Sequence, residues 1–61
     1  MHLMTPKEVA ETLSVPIQTL TQWRYQGRGP SFVKAGRLVR YKRGDVDSWI
    51  QANTVQTTEA A

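Results

Sequence analysis

The sequence predicts an α+β domain, mostly helical: two helices meeting at a tight turn, a two-stranded hairpin after them, and a short helix toward the C-terminal end. Three observations predict it. Helix-start signals stand at Thr5-Pro6 and again at Pro16, close behind the end of a first apolar stripe. After Gly29-Pro30 the apolar pattern changes from helical spacing to period two, and a helix start returns at Gly44-Asp45.

In the first helix Thr5 is placed to cap, Pro6 suits the first helical position, and Glu8 completes a capping box. Val9, Ala10 and Leu13 form its apolar stripe. It ends near Leu13, because Pro16 pushes Val15 out of helical geometry and is itself comfortable in a first turn. The second helix is expected over 16–26, stopping at Gly27, which can take the left-handed conformation that closes helices. Leu20 and Trp23 mark its buried edge. At about 100° per residue, Gln18, Thr21, Gln22 and Tyr25 fall on the opposite side, a face of amides, a hydroxyl and a phenol without an acidic residue.

The hairpin is expected from Phe32-Val33-Lys34, the turn Ala35-Gly36, and Arg37-Leu38-Val39-Arg40-Tyr41. Alternation turns Val39 and Tyr41 toward the helices and Leu38, Arg40 and Lys42 outward, with Lys34 and Arg37 near the tip. Asp45 and Asp47 in the first turn of the third helix complement the positive end of its dipole. The expected core is Val9, Leu13, Leu20, Trp23, Val39, Tyr41, Val46, Trp49 and Ile50. Residues 1–52 are read as one domain and 53–61, which lack a periodic apolar pattern, as a flexible tail.

A chain of 61 residues has room for one small core and no separate catalytic cleft, since at this size folding buries only roughly 60% of the unfolded surface. Without cysteine there is no disulfide, thiolate zinc site or cysteine nucleophile, so packing must hold the fold, which fits a reducing cytoplasmic setting. The single histidine, His2, lies at the amino-terminal end, and the acids are scattered or placed at helix starts; no metal, cofactor, small-molecule ligand or enzymatic activity is expected. Apolar runs are too short for a membrane span.

Charge is segregated. Of eight cations, seven lie between residues 24 and 43: Arg24, Arg28, Lys34, Arg37, Arg40, Lys42 and Arg43, while all five acids lie outside that window. Solvated surfaces usually mix both signs, so an anionic partner is the preferred explanation and solubility the other. A polar second helix followed by a basic hairpin suits double-stranded DNA. A helix about 10–12 Å across enters a major groove about 12 Å wide, where Gln18 and Gln22 can meet adenine edges, and Thr21, with Thr19 and Tyr25, can meet other base-edge groups. Arg24 and Arg28 are candidates for the flanking phosphates. Arg37 is a candidate for a narrow minor groove, and Lys34, Arg40 and Lys42 for the phosphate rails beside it. The competing picture is a protein-interaction adaptor in which Tyr25, Phe32 and Leu38 form one exposed apolar patch.

Ordered motifs across residues 4–51 carry a family resemblance. They are Leu3-Met4-Thr5-Pro6 with Glu8-Val9-Ala10, Leu13-Ser14-Val15, Thr19-Leu20 and Trp23, Gly29-Pro30, Val33-Lys34-Ala35-Gly36-Arg37, Val39-Arg40-Tyr41, and Asp45-Val46-Asp47-Ser48-Trp49-Ile50. In this series the chain resembles the phage excisionase, or recombination directionality factor, family, whose winged helix-turn-helix is similar to that of mercury-resistance regulators. The resemblance implies a non-catalytic protein that binds DNA through the second helix and the wing. It further implies bending of an attachment site so that an integrase excises, with integrase and neighbouring copies as further partners; a transcription regulator uses the same domain and stays open as the alternative. Two features depart from the family pattern: Pro16-Ile17 replaces a polar pair at the start of the second helix, and Arg24 stands where many members carry an aliphatic residue.

Overall fold

The chain enters its first helix through a reciprocal cap, as Thr5 Oγ1 accepts from the Glu8 amide at 3.1 Å while the Thr5 amide donates to Glu8 Oε1 at 2.8 Å. These two bonds satisfy donors that the first helical turn otherwise leaves unpaired. The computed structural model describes residues 2–55. In chain order its elements are β1 (Leu3–Met4), α1 (Pro6–Leu13), α2 (Ile17–Gln26), β2 (Val33–Ala35), β3 (Leu38–Lys42) and α3 (Arg43–Asn53). Three helices and a three-stranded antiparallel sheet in this order make a winged helix-turn-helix.

The turn between α1 and α2 is closed by Ser14, a non-glycine residue in the left-handed region with φ 58°. Its amide and that of Val15 return to the carbonyls of Glu11 and Ala10, which ends α1 abruptly. Pro16 then stands just outside α2 with extended backbone, so the helix begins one residue later than expected, and Gly27 closes it at φ 70°.

In the sheet β3 is central, with β1 on one side and β2 on the other. Leu3 pairs with Lys42 and Met4 with Tyr41, while Val33, Lys34 and Ala35 pair with Arg40, Val39 and Leu38. The first strand was not expected, because two residues are too short to display alternation. The hairpin turn also differs from expectation by one residue: Ala35 belongs to β2, and Gly36-Arg37 form the loop. With φ 62°, Gly36 takes the first loop position, where two-residue hairpins that need one positive φ place glycine. Arg37 thereby becomes a loop residue, and Phe32 precedes the strand.

Val9, Leu20, Tyr41 and Val46 are fully buried, with Met4 and Ala10 beside them, and Leu13, Val15, Trp23, Val39 and Ile50 pack around this cluster half-covered. Burying an aliphatic or aromatic side chain of this size stabilises by roughly 1.5–3 kcal/mol, so each of these few residues matters to a domain this small. Trp49 lies outside the buried cluster; it is half-buried at the rim, its ring centroid 5.4 Å from that of Trp23. Helix α3 runs from Arg43 to Asn53, one residue earlier than the Gly44 start expected and one beyond the expected domain edge at 52. Of the proposed tail, residues 56–61 lie outside the described residues.

Candidate nucleic-acid interface

Helix α2 is seated by Leu20, which is fully buried, and by Trp23, whose ring meets Trp49 and the backbone of Gly29. That seating turns Gln18, Gln22, Tyr25 and Gln26 to solvent. Tyr25 is 88% exposed, far more than an aromatic side chain needs for packing, so it adds contact area outside the core. Thr21 and Arg24 are half-covered on the side of the helix that meets the wing, whereas Thr19, about 100° around the helix from Gln18, lies on the opposite flank.

The register of the sheet decides which cations join this helix. Directly opposed residues share a face, so Lys34 lies with Val39, and by alternation with Tyr41 and Met4, on the side toward α2. An open concavity between helix and wing is lined by Thr21, Arg24 and Tyr25 from α2 and by Phe32, Lys34, Arg37 and Val39 from the hairpin. Residues of α2 and of the hairpin singled out from the sequence therefore share one surface. Gln18 and Gln22 continue it along the exposed face of α2.

The other wing cations are placed differently. Arg40 pairs with Val33, and Lys42 with Leu3, on the sheet face turned away from α2. Arg40 is half-covered and donates from Nη1 to its neighbour Val39's carbonyl at 2.7 Å. Arg28 lies exposed beyond the end of α2; its amide donates to the Trp23 carbonyl at 2.7 Å, and its Nη1 reaches Gln26 Oε1 at 3.5 Å. Leu38 also lies on the far sheet face, so Tyr25 and Phe32 do not form one apolar patch with it. This separation removes the geometric basis of the adaptor picture.

Two side chains read as base or phosphate contacts are already engaged. The Thr21 hydroxyl donates to the Ile17 carbonyl at 3.4 Å and accepts from Arg24 Nη2 at 3.4 Å, leaving its methyl as the free group. Arg24 Nη1 donates to the Tyr41 phenol oxygen at 3.0 Å, and its guanidinium carbon stands 5.8 Å from the centre of the Phe32 ring. Phe32 in turn packs against Tyr41 with centroids 6.1 Å apart. From the sequence Tyr41 is expected only in the core, and no contact between Phe32 and Arg24 is expected. A signal for the first was present: a buried phenol needs a polar partner where phenylalanine does not. Among the described residues no buried side-chain polar atom lacks one.

The helix start perturbs one carboxyl. Accepting the Thr5 amide hydrogen bond holds the Glu8 carboxyl below its usual value, with smaller help from the Thr5 hydroxyl and the charges of His2 and Arg40, against an opposing effect of desolvation. No group of three or more His, Cys, Asp or Glu side chains among the described residues is placed to hold a metal ion, and no helix among them is long and apolar enough to cross a membrane. Compared with known families, the chain matches over residues 3–54 the model of a family described as a helix-turn-helix domain. Among curated proteins, none matches the chain.

Proposed function

The chain belongs to this helix-turn-helix domain family, and from that premise we propose that it binds double-stranded DNA as a non-catalytic architectural protein of the excisionase type. The observation that carries the DNA reading is the shared concavity, where Thr21, Arg24 and Tyr25 of α2 face Lys34 and Arg37 of the wing. In this reading the exposed face of α2 lies in the major groove, with Gln18 and Gln22 toward base edges and the Thr21 methyl available to a thymine methyl. Lys34 and Arg37 meet the backbone and minor groove next to it.

The finer role rests on the motif series from Leu3 to Ile50 that resembles recombination directionality factors. The protein bends attachment-site DNA, acting beside neighbouring copies, so that an integrase carries out excision. A gel assay with the binding site permuted along a fragment of constant length tests this. Mobility that depends on site position is expected. An unbent complex, together with a promoter reporter that responds in the absence of any recombinase, would move the assignment to a transcription regulator.

A further inference from the structure

The residue that links helix to wing is Arg24, whose guanidinium touches three places at once. It donates to Tyr41 Oη in the central strand at 3.0 Å, donates to Thr21 Oγ1 one turn back on its own helix at 3.4 Å, and stands 5.8 Å from the centre of the Phe32 ring at the entrance to the outer strand. Tyr41 has little freedom to yield, being fully buried in the central strand and paired there with Met4 of β1. A planar guanidinium with donors in a fixed fork spans such a set of partners, whereas the point charge of lysine does not. The Thr21 hydroxyl, holding the Ile17 carbonyl as well, fixes the helix end of the link.

We propose that Arg24 is a positioning residue, a strut that sets the distance and angle between the base-reading face of α2 and the wing, so that discrimination among DNA sequences depends on it without a phosphate contact of its own. The inference rests on the DNA-binding reading above. Its chemistry distinguishes it from a phosphate anchor. An anchor contributes charge neutralisation, which appears in the salt dependence of binding at roughly 0.9 per contact in the slope of log affinity against log salt. A strut contributes geometry, and geometry is also lost when its neutral partner is altered. Tyr41→Phe removes only the oxygen that accepts from Arg24 and leaves the ring and every charge in place.

Two measurements on the full chain test the proposal. The first is urea denaturation of the wild type, Tyr41→Phe, Arg24→Met and the double variant. Coupling is expected, with Arg24→Met shifting the midpoint less when Tyr41 is already phenylalanine; additive shifts overturn the strut. The second measures binding at several salt concentrations to two duplexes of equal length, one carrying the sequence that the wild type selects from a random library and one of random sequence. Tyr41→Phe is expected to reduce the preference for the selected duplex about tenfold with the salt slope unchanged, and Arg24→Met and Arg24→Lys to reduce it similarly. An intact preference in Tyr41→Phe overturns the proposal, and so does a slope reduced by a full contact in Arg24→Met but not in Arg24→Lys, which makes Arg24 an anchor. If the wild type enriches no sequence from the library and does not bind the random duplex, the DNA reading falls and the positioning role with it, whereas the urea cycle still reports whether the bond between Arg24 and Tyr41 exists.

Discussion

Gly29→Ala is the substitution whose cost the structure lets one work out most directly. Gly29 has φ +82°, in the left-handed region, and a methyl group there would lie 2.8 Å from Trp23 Cε3 and 3.3 Å from Trp23 Cβ. Gly27 provides the comparison, because its φ is +70° yet a methyl group at that position meets nothing within 4 Å. Forcing alanine into the left-handed region costs about 1–2 kcal/mol, offset by roughly 0.4–1 kcal/mol from the stiffer unfolded chain, so Gly27→Ala should cost about 0.5–1 kcal/mol. Gly29→Ala carries the same backbone cost plus overpacking of about 1–3 kcal/mol. The indole has little room to retreat, since its Cβ is anchored in α2 and its ring already packs on Trp49 at 5.4 Å. The sum, about 1.5–4 kcal/mol, is a large part of the roughly 3–9 kcal/mol expected for 61 residues. At about 4–8 °C per kcal/mol for a domain of this size, Gly29→Ala should melt about 5–20 °C below Gly27→Ala in circular dichroism. Equal melting temperatures for the two variants would refute the close packing of Trp23 on the Gly29 backbone.

Other perturbations address the cap, the rim and the wing. Thr5→Ala should destabilise by about 1 kcal/mol in urea titrations, because it removes the acceptor of the Glu8 amide. Since Glu8 titrates lower in the folded protein than in the unfolded chain, its contribution is present above the ordinary value of 4.5 and is lost as pH falls through the lowered folded value. Glu8→Gln should flatten the pH dependence of stability in that acid window, and a profile identical to wild type would deny the cap its ionic character. Trp49→Ala should cost about 2–4 kcal/mol, less than Trp23→Ala, because Trp23 packs directly against the buried cluster and Trp49 reaches it only through the Trp23 ring. Arg37→Ala should reduce the salt slope of DNA binding by roughly 0.9 with little change in thermal stability; an unchanged slope removes the loop from the interface.

The helices were legible because their boundaries are written in local chemistry. The Thr5–Glu8 box, Pro6 and Gly27 act within one helical turn, where sequence distance is nearly spatial distance. What stayed hidden depends on partners distant in sequence. Strand β1 has two residues, and only its pairing with Lys42 and Tyr41 makes it a strand. Ser14 adopts the left-handed turn because two amides there find carbonyls in α1, not because serine favours it. The hairpin register slipped by one residue because Ala35-Gly36 and Gly36-Arg37 both suit a two-residue loop by composition, and the pairing of Ala35 with Leu38 selects the second. Arg24 shows this in the candidate site: its position on α2 and its charge suggest a phosphate, while the partner that engages it, Tyr41, is 17 residues away and by its alternation belongs to the core.

The same register divides the cations of the wing, and that division bears on how a duplex would be held. Lys34 lies on the face toward α2, with Arg37 at the loop, whereas Arg40 and Lys42 lie on the reverse face. A hairpin laid flat on one phosphate rail would use only the first set and leave the second without a contact to the duplex. A hairpin standing edge-on in a groove presents one set to each wall, and in duplex DNA both walls are phosphate backbones. The alternation of charge across the strand pair, with Val39 and Tyr41 covering the helices on one side, suits the second arrangement. In that geometry the separation between α2 and the wing sets which base pairs the helix faces when the ribbon is seated. A rigid connection between them then matters more to sequence discrimination than any single cation on either face.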